Sequence, residues 1–247
     1  MTLGYIIFFS LLGSIGSVLL SALFLIFPDN IQKNLIPKFI SFATGTLLGA
    51  AFLSLIPHAA EKLGDLDLTL LMVLAGLIIF FILEKFVTWL HCHDEHCHVH
   101  EASGSLIMIG DAFHNFVDGV VIAATFITSI PLGITTAFSV ITHEIPKEVG
   151  DFAILLKNNY TKKRAFMLNI FSGLSSLVGA LLAYFFMSTI TNVTPYIMSI
   201  SAASFIYVAI SDLIPHLQKH TNPKKSITQT FLIFAGISVI YFMSHTH

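Results

Sequence analysis

Charge is what this sequence has least of. Only 11% of its 247 residues are Asp, Glu, Lys or Arg, whereas a soluble domain averages about 25%. A soluble fold of this length could not cover its surface with so few charges, which excludes that class. The net charge is −2, which indicates no nucleic-acid partner. The only cysteines are Cys92 and Cys97, both inside a histidine-rich run, where a disulfide and metal binding both remain open.

Long apolar stretches take the place of charge. Hydrophobic residues make up 55% of the chain and form runs of about 20 residues, enough to cross about 30 Å of hydrocarbon. No A-x-A-like cleavage site follows the first run, which predicts a membrane span rather than a removed signal peptide. We therefore expect an all-α, polytopic membrane protein with a single transmembrane domain over residues 1–247. Its eight helices are predicted near 3–27, 36–57, 68–90, 104–129, 132–156, 165–190, 195–217 and 227–244.

The basic residues predict the orientation of these spans. With the N-terminus outside, ten of the twelve lysines and arginines fall in inner loops and only Lys62 falls in an outer loop, while Lys147 lies within a span. Basic loops favour the cytoplasmic side. Both termini are therefore predicted outside, and the histidine-rich loop, about 91–103, is predicted to be cytoplasmic.

Ionisable side chains are concentrated in the fourth and fifth spans. A charge at mid-bilayer costs about 2.5 kcal/mol or more, so a group of them calls for a function. His114 and Asp118 are four residues apart, as are His143 and Lys147, so each pair shares one helix face. Two antiparallel neighbouring helices could point them into one cluster. The polar members are Asp111, His114, Asn115, Asp118, His143, Glu144, Lys147, Glu148 and Asp151.

The donor types in this cluster narrow the choice of ion. Imidazole suits zinc, iron, copper and nickel, and carboxylate suits harder ions. The two spans contain no thiolate, which disfavours Cu(I), and calcium and magnesium prefer all-oxygen shells. The sequence predicts a divalent transition metal ion, with zinc leading and iron(II), manganese, cobalt or cadmium also open.

At these residues the chain resembles the ZIP (Zrt/Irt-like) family of metal transporters. Residues 114–119 match the family's HNFxDG motif, and residues 143–151 match HExPHExGD, which is typical of its largest animal subfamily. Residues 45–58 are similar to its GxLxGDAFLHLLPH stretch, and the end of the seventh span, 211–215, is also similar. The likeness covers nearly the whole chain.

The resemblance implies an eight-helix ZIP-type bundle with both ends outside and metal uptake into the cytoplasm. It also implies a metal site, sometimes binuclear, between helices four and five. Carried over, the ligands are His114, Asn115 and Asp118 from helix four, with His143 and Glu144 from helix five. Glu148, which repeats the spacing of Glu144, completes the predicted set.

The sequence departs from the family pattern at three positions. Lys147 stands where the family usually has a histidine ligand, Ala50 where Asp is common, and Ser54 where His is common. We expect the Lys147 ammonium to substitute for the charge of a second metal ion. The residues predicted as accessory metal contacts are Asp111, His58, Asp212, His216, His91, Cys92, His93, His96, Cys97, His98 and His100.

Two rival functions come from other classes. Residues 143–147 are one histidine short of the HExxH motif of zinc proteases, which leaves an intramembrane metalloprotease as an alternative. A charged lysine in the missing position cannot bind zinc, so we expect no enzyme and no catalytic cofactor. Five histidines and two cysteines within 91–100 leave a membrane metal sensor as the second alternative.

The expected partners follow from this interpretation. They are a divalent metal ion as substrate, bound in transit as Zn²⁺ or a similar cation, and the lipid bilayer; a homodimer remains open. The expected location is multi-pass in a bacterial inner membrane, a plasma membrane or an organelle membrane.

Overall fold

The computed structural model describes residues 1–89, 104–187, 193–218 and 223–245. These residues form eight helices and no strand, which confirms the predicted all-α class. The helices are α1 (Thr2–Phe24), α2 (Asp29–Leu63), α3 (Leu66–Trp89), α4 (Gly104–Thr128), α5 (Ile130–Lys157), α6 (Lys162–Met187), α7 (Thr194–Gln218) and α8 (Pro223–His245).

Six described helices are long and apolar enough to cross a membrane by length and composition: α1, α2, α3, α6, α7 and α8. Of the apolar windows in α3 and α8, only 17% and 11% are buried, against 72% in α2. The apolar windows of α3 and α8 are therefore the most exposed, and α2 lies inside the bundle. The other two helices, α4 and α5, carry the polar residues identified from the sequence.

The turn between α4 and α5 is very short. Ser129 alone separates the two helices, in an extended conformation, and its hydroxyl accepts a hydrogen bond from the Leu132 amide. This caps the first turn of α5, where amide groups have no partner inside the helix. Short connections make neighbours antiparallel, so the turn lays the two polar helices side by side.

Helix α2 is longer at both ends than the hydropathy pattern predicted. It begins at Asp29, directly after Pro28, and ends at Leu63 before Gly64, whose φ of +66° is left-handed. The extra turns carry charged and amide side chains, so a search for apolar residues passes over them. A glycine at this C-terminal position is a common helix stop.

Three helices contain a π-helical turn that the sequence analysis did not predict. The turns lie at Leu12–Gly16 in α1, Ala51–Leu55 in α2 and Ala209–Leu213 in α7. A π turn rotates the side chains that follow it and often lies near a functional site. The π turn of α2 packs against α7, and the π turn of α7 packs against α2.

Very close backbone contact joins α4 to α6. A Cβ atom at Gly119 would lie 1.8 Å from the Ser176 carbonyl oxygen, and one at Gly179 would lie 2.2 Å from the Phe116 carbonyl oxygen. Small residues at a membrane helix interface permit this approach, since lipid supplies no hydrophobic force to press helices together. The contact fixes α4, and with it the side chains of 114–118.

Candidate metal centre

Four side chains from α4 and α5 converge on one point. His114 Nε2 lies 3.1 Å from His143 Nε2 and 3.6 Å from Asp118 Oδ2. His143 Nε2 lies 3.2 Å from the same Asp118 oxygen. Glu144 Oε1 lies 3.4 Å from His114 Nε2 and 3.5 Å from His143 Nε2. Each residue thus offers one donor atom, and the four donors lie within 4.8 Å of one another.

These separations suit a tetrahedral ion. Zinc binds imidazole nitrogen and carboxylate oxygen at about 2.0–2.2 Å, so two ligands of a regular tetrahedron lie about 3.3–3.6 Å apart. The five donor separations given above run from 3.1 to 3.6 Å. Two imidazoles and two carboxylates are also a donor set that zinc accepts. The four atoms can therefore hold such an ion without a large rearrangement.

The backbone of α5 fixes the ring of His143. Its Nδ1 lies 3.0 Å from the carbonyl oxygen of Ser139, one turn earlier. A carbonyl only accepts hydrogen bonds, so Nδ1 carries the proton and donates it. In the neutral ring the lone pair is then on Nε2, which faces the other three donors. Metal-binding histidines are commonly held in this way through the nitrogen that does not bind the ion.

The carboxylates at this point are deeply buried and poorly satisfied. The side chains of Asp118, His143 and Glu144 are each 1% exposed, whereas that of His114 is 18% exposed. Within the described part of the chain, both Asp118 oxygens and Glu144 Oε2 accept no well-formed hydrogen bond. Buried oxygens in this state are costly, and a bound cation would satisfy them.

A second acidic group adjoins the first and shares one residue with it. Carboxylate oxygens of Asp111, Glu144 and Glu148 lie within 4.8 Å of one another. Lys147 Nζ lies 2.5 Å from Asp111 Oδ1 and 3.0 Å from Glu144 Oε1. The ammonium thus lies between the two groups instead of turning away towards the membrane surface.

Asn115 belongs to this second group. Its amide nitrogen donates to the Asp111 side chain and to the Asp111 carbonyl, each at 3.1 Å. The other Asp111 oxygen accepts a hydrogen bond from the Ser172 hydroxyl on α6. Asp111 is therefore held from three helices, α4, α5 and α6.

The comparison with known proteins agrees with this geometry. A model of the ZIP zinc transporters matches residues 2–105 and 90–244. The chain belongs to the ZIP zinc transporter family. It is therefore an integral, multi-pass membrane protein.

Several curated relatives are zinc transporters by name. Zinc transporter ZIP13 of Pongo abelii is 32% identical over 221 residues, which cover 84% of this ZIP chain and 66% of that protein. Zinc transporter SLC39A7 of Mus musculus is 27% identical over 304 residues, 87% of this chain and 63% of that protein. Zinc transporter zipt-7.1 of Caenorhabditis briggsae is 27% identical over 307 residues, 96% of this chain and 78% of that protein. The chain spans less than two thirds of the length of the first two of these relatives.

A cavity adjoins the metal centre of this ZIP protein. Its volume is about 500 Å³, and residues of α3, α4, α5 and α7 line it, among them Ile109 near the start of α4 and Asp151 near the end of α5. His114 and Lys147 line its inner part. Four carboxylates also line it: Glu84, Asp111, Asp151 and Asp212. The Tyr207 hydroxyl on α7 donates a hydrogen bond to Glu84 on α3.

Of the predicted accessory residues, Asp111 belongs to the second acidic group, whereas His58, Asp212 and His216 belong to neither group. His58 Nδ1 bonds the Ser54 carbonyl at 2.8 Å, and His216 Nδ1 bonds the Asp212 carbonyl at 3.1 Å. Among the described residues neither histidine belongs to a group that could hold a metal ion, although Asp212 lines the cavity. The other accessory residues, His91, Cys92, His93, His96, Cys97, His98 and His100, lie outside the described residues.

Sequence reasoning missed Ser139, Ser172 and Tyr207. Each supports or lines the site through one hydroxyl or carbonyl group. Serine occurs in seven of the eight helices and single hydroxyls carry no spacing pattern, so the sequence offered no signal for them. The packing of α4 against α6 brings Ser172 to Asp111, and that of α3 against α7 brings Tyr207 to Glu84. Ser139 meets His143 one turn along the same helix, α5.

Proposed function

We propose that this ZIP protein moves a divalent transition metal ion, with zinc as the leading substrate, into the cytoplasm through the cluster of His114, Asp118, His143 and Glu144. The observation that carries the proposal is the set of donor separations of 3.1–3.6 Å at the centre of a membrane helix bundle. The names of its relatives support zinc as the substrate.

The cavity supports a route for the ion. His114 is the one member of the cluster that faces the cavity, and the other three are buried. An ion leaving the cluster would pass His114 and then the carboxylates of Asp111, Asp151 and Asp212. Carboxylates suit this role because each can replace part of the water that the ion lacks inside the bundle.

The direction of that route rests on the positive-inside rule. The start of α4 and the end of α5 face the cytoplasm in the orientation that the lysines favour, with both termini outside. We infer that the cavity opens inwards in this orientation and that metal is released through it. The histidine-rich segment 91–103 joins α3 to α4 at that same end, where it would receive the ion.

Lys147 favours one transported ion over two. A single divalent cation balances the charges of Asp118 and Glu144. The ammonium then compensates Asp111 in the adjoining group, at 2.5 Å, and so lessens the cost of burying these acids in the absence of metal. A second divalent ion would meet that positive charge at the shared Glu144.

An intramembrane metalloprotease is the weaker alternative. The HExxH mechanism needs two histidines of one helix on zinc and the glutamate free as a base. Here the second histidine comes from α4, and Glu144 Oε1 lies within 3.5 Å of both imidazoles, in the position of a ligand. Purified protein that cleaves membrane peptides without moving metal in liposomes would favour the protease.

Zinc uptake into proteoliposomes tests the proposed function. We expect His114→Ala, Asp118→Ala, His143→Ala and Glu144→Ala each to lower uptake more than tenfold, because even outer contacts of a metal site are worth about 10–100-fold in affinity. His245→Ala is the matched control, since this histidine bonds its own helix at the end of α8. Near-normal uptake by any two of the four variants would remove the assignment.

A further inference from the structure

A second pocket lies between α2 and α8, apart from the metal centre. Its volume is about 260 Å³, and its polar lining includes Lys33, Asn34 and Lys38 of α2 with Lys225 and Gln229 of α8. No acidic residue lines it, and none of the three lysines forms an ion pair with another described residue. Three ammonium groups around one cavity repel one another, and an anion between them would remove that repulsion.

A buried amide donor points to the same kind of ligand. Gln229 Nε2 is buried and finds no hydrogen-bond acceptor among the described residues. An unpaired buried donor is unfavourable. A ligand that brings oxygen acceptors and negative charge together would pair with this amide and with the ammonium groups. A phosphate group fits that description.

The pocket adjoins apolar surface that faces lipid. On α8, Ile227 and Phe231 are 71% and 69% exposed, and on α2 the exposed Phe39 follows directly after Lys38. The sequence changes here from charged and amide residues to an apolar run, as it does where a helix enters the membrane. A ligand with its phosphate in the pocket would therefore have room for acyl chains along α8.

We propose that this pocket binds the phosphate of an anionic phospholipid at the membrane surface. Basic pockets between membrane helices recognise anionic headgroups through these same contacts. In the orientation that the lysines favour, the lipid belongs to the cytoplasmic leaflet. The proposal does not depend on metal transport, because headgroup binding can be measured in detergent without any metal ion.

Native mass spectrometry of the purified full-length protein tests the proposal with phosphatidylglycerol and phosphatidylcholine as probes. The protein should retain phosphatidylglycerol in preference to phosphatidylcholine. Each lysine near a membrane surface contributes about fivefold to anion binding, so Lys33→Gln, Lys38→Gln and Lys225→Gln together should weaken the preference on the order of 100-fold. Lys157→Gln, Lys162→Gln and Lys163→Gln together, at the end of α5 and the start of α6, form the control and should keep the preference.

A substitution that keeps the size of the side chain makes the test more specific. Gln229→Glu replaces the amide donor by a carboxylate, and it should abolish the preference for phosphatidylglycerol. Gln218→Glu, which makes the same change at an exposed position at the end of α7, should not. The proposal would be overturned if Gln229→Glu and Gln218→Glu lost the preference equally. It would also be overturned if the variant with Lys33, Lys38 and Lys225 replaced by Gln kept the preference. Displacement of the lipid by millimolar inorganic phosphate, with no contribution from the acyl chains, would also overturn it.

Discussion

Glu144 connects the two polar groups of the site through a single oxygen atom. Its Oε1 lies within 3.5 Å of both imidazoles and 3.0 Å from Lys147 Nζ. A metal ion and the lysine therefore draw on the same carboxylate, while Asp111 gives the ammonium a second partner at 2.5 Å. The lysine can remain in place when an ion binds, because Asp111 continues to compensate its charge.

The variant Lys147→His tests the role of this lysine. The histidine would add a metal ligand beside Asp111 and Glu148 and would remove the competing charge. Equilibrium zinc binding to the purified protein should then rise from one ion in the membrane bundle towards two, and the turnover in liposomes should change. Lys157→His, at the end of the same helix, is the control and should bind as the unmodified chain does. Two ions at the intramembrane site of the unmodified protein would contradict this account.

At the scale of helices, the site depends on how closely α4 approaches α6. Hydropathy predicted all eight helices, with α3 to α7 within about three residues of their observed ends, because the bilayer fixes the length and polarity of a span. The spacing of four residues predicted that His114 and Asp118 share one helix face, because helix geometry is local. The π turns and the Ser172–Asp111 hydrogen bond were not predictable, since each depends on packing between helices.

Gly119→Ala tests the α4–α6 contact. The added Cβ would lie 1.8 Å from the Ser176 carbonyl oxygen, so the backbones must separate and carry His114 and Asp118 away from α5. Overpacking of this kind costs about 1–3 kcal/mol or more, and we expect a lower Tm in detergent together with loss of zinc uptake. At Gly150, on α5, the added Cβ meets nothing within 4 Å, so Gly150→Ala is the control. A Tm and uptake equal to those of the unmodified protein would show that the contact is not needed.

At the scale of the whole molecule, the metal centre lies between the cavity and part of the buried apolar core. Along α4, residues between 109 and 117 line the 500 Å³ cavity, whereas Ile122 and Phe126 of the main core follow the site residues. This arrangement is what a carrier needs when its site faces one side at a time. Helical spacing predicted that His114, Asp118, His143 and Glu144 could meet in one cluster, as they do in the structure. The cavity is formed by four helices and has no signature in any one of them.

Deletion of residues 91–100 tests the role of the histidine-rich segment. This segment joins α3 to α4 and is not part of α4 or α5, the two helices that form the site. The shortened protein should therefore still insert and transport zinc, with altered affinity or regulation. Uptake into proteoliposomes at a series of zinc concentrations would measure both. Complete loss of transport by a correctly inserted deletion variant would mean that the segment belongs to the path itself.

The most direct test of the central claim combines that deletion with a change in the cluster. Zinc uptake by the shortened protein should be compared with uptake by the shortened protein that also carries His143→Ala, so that no histidine of the 91–100 segment can contribute. We expect clear uptake by the first protein and uptake at the level of empty liposomes by the second. Equal uptake by the two would contradict the proposal that the ion passes through the α4–α5 cluster.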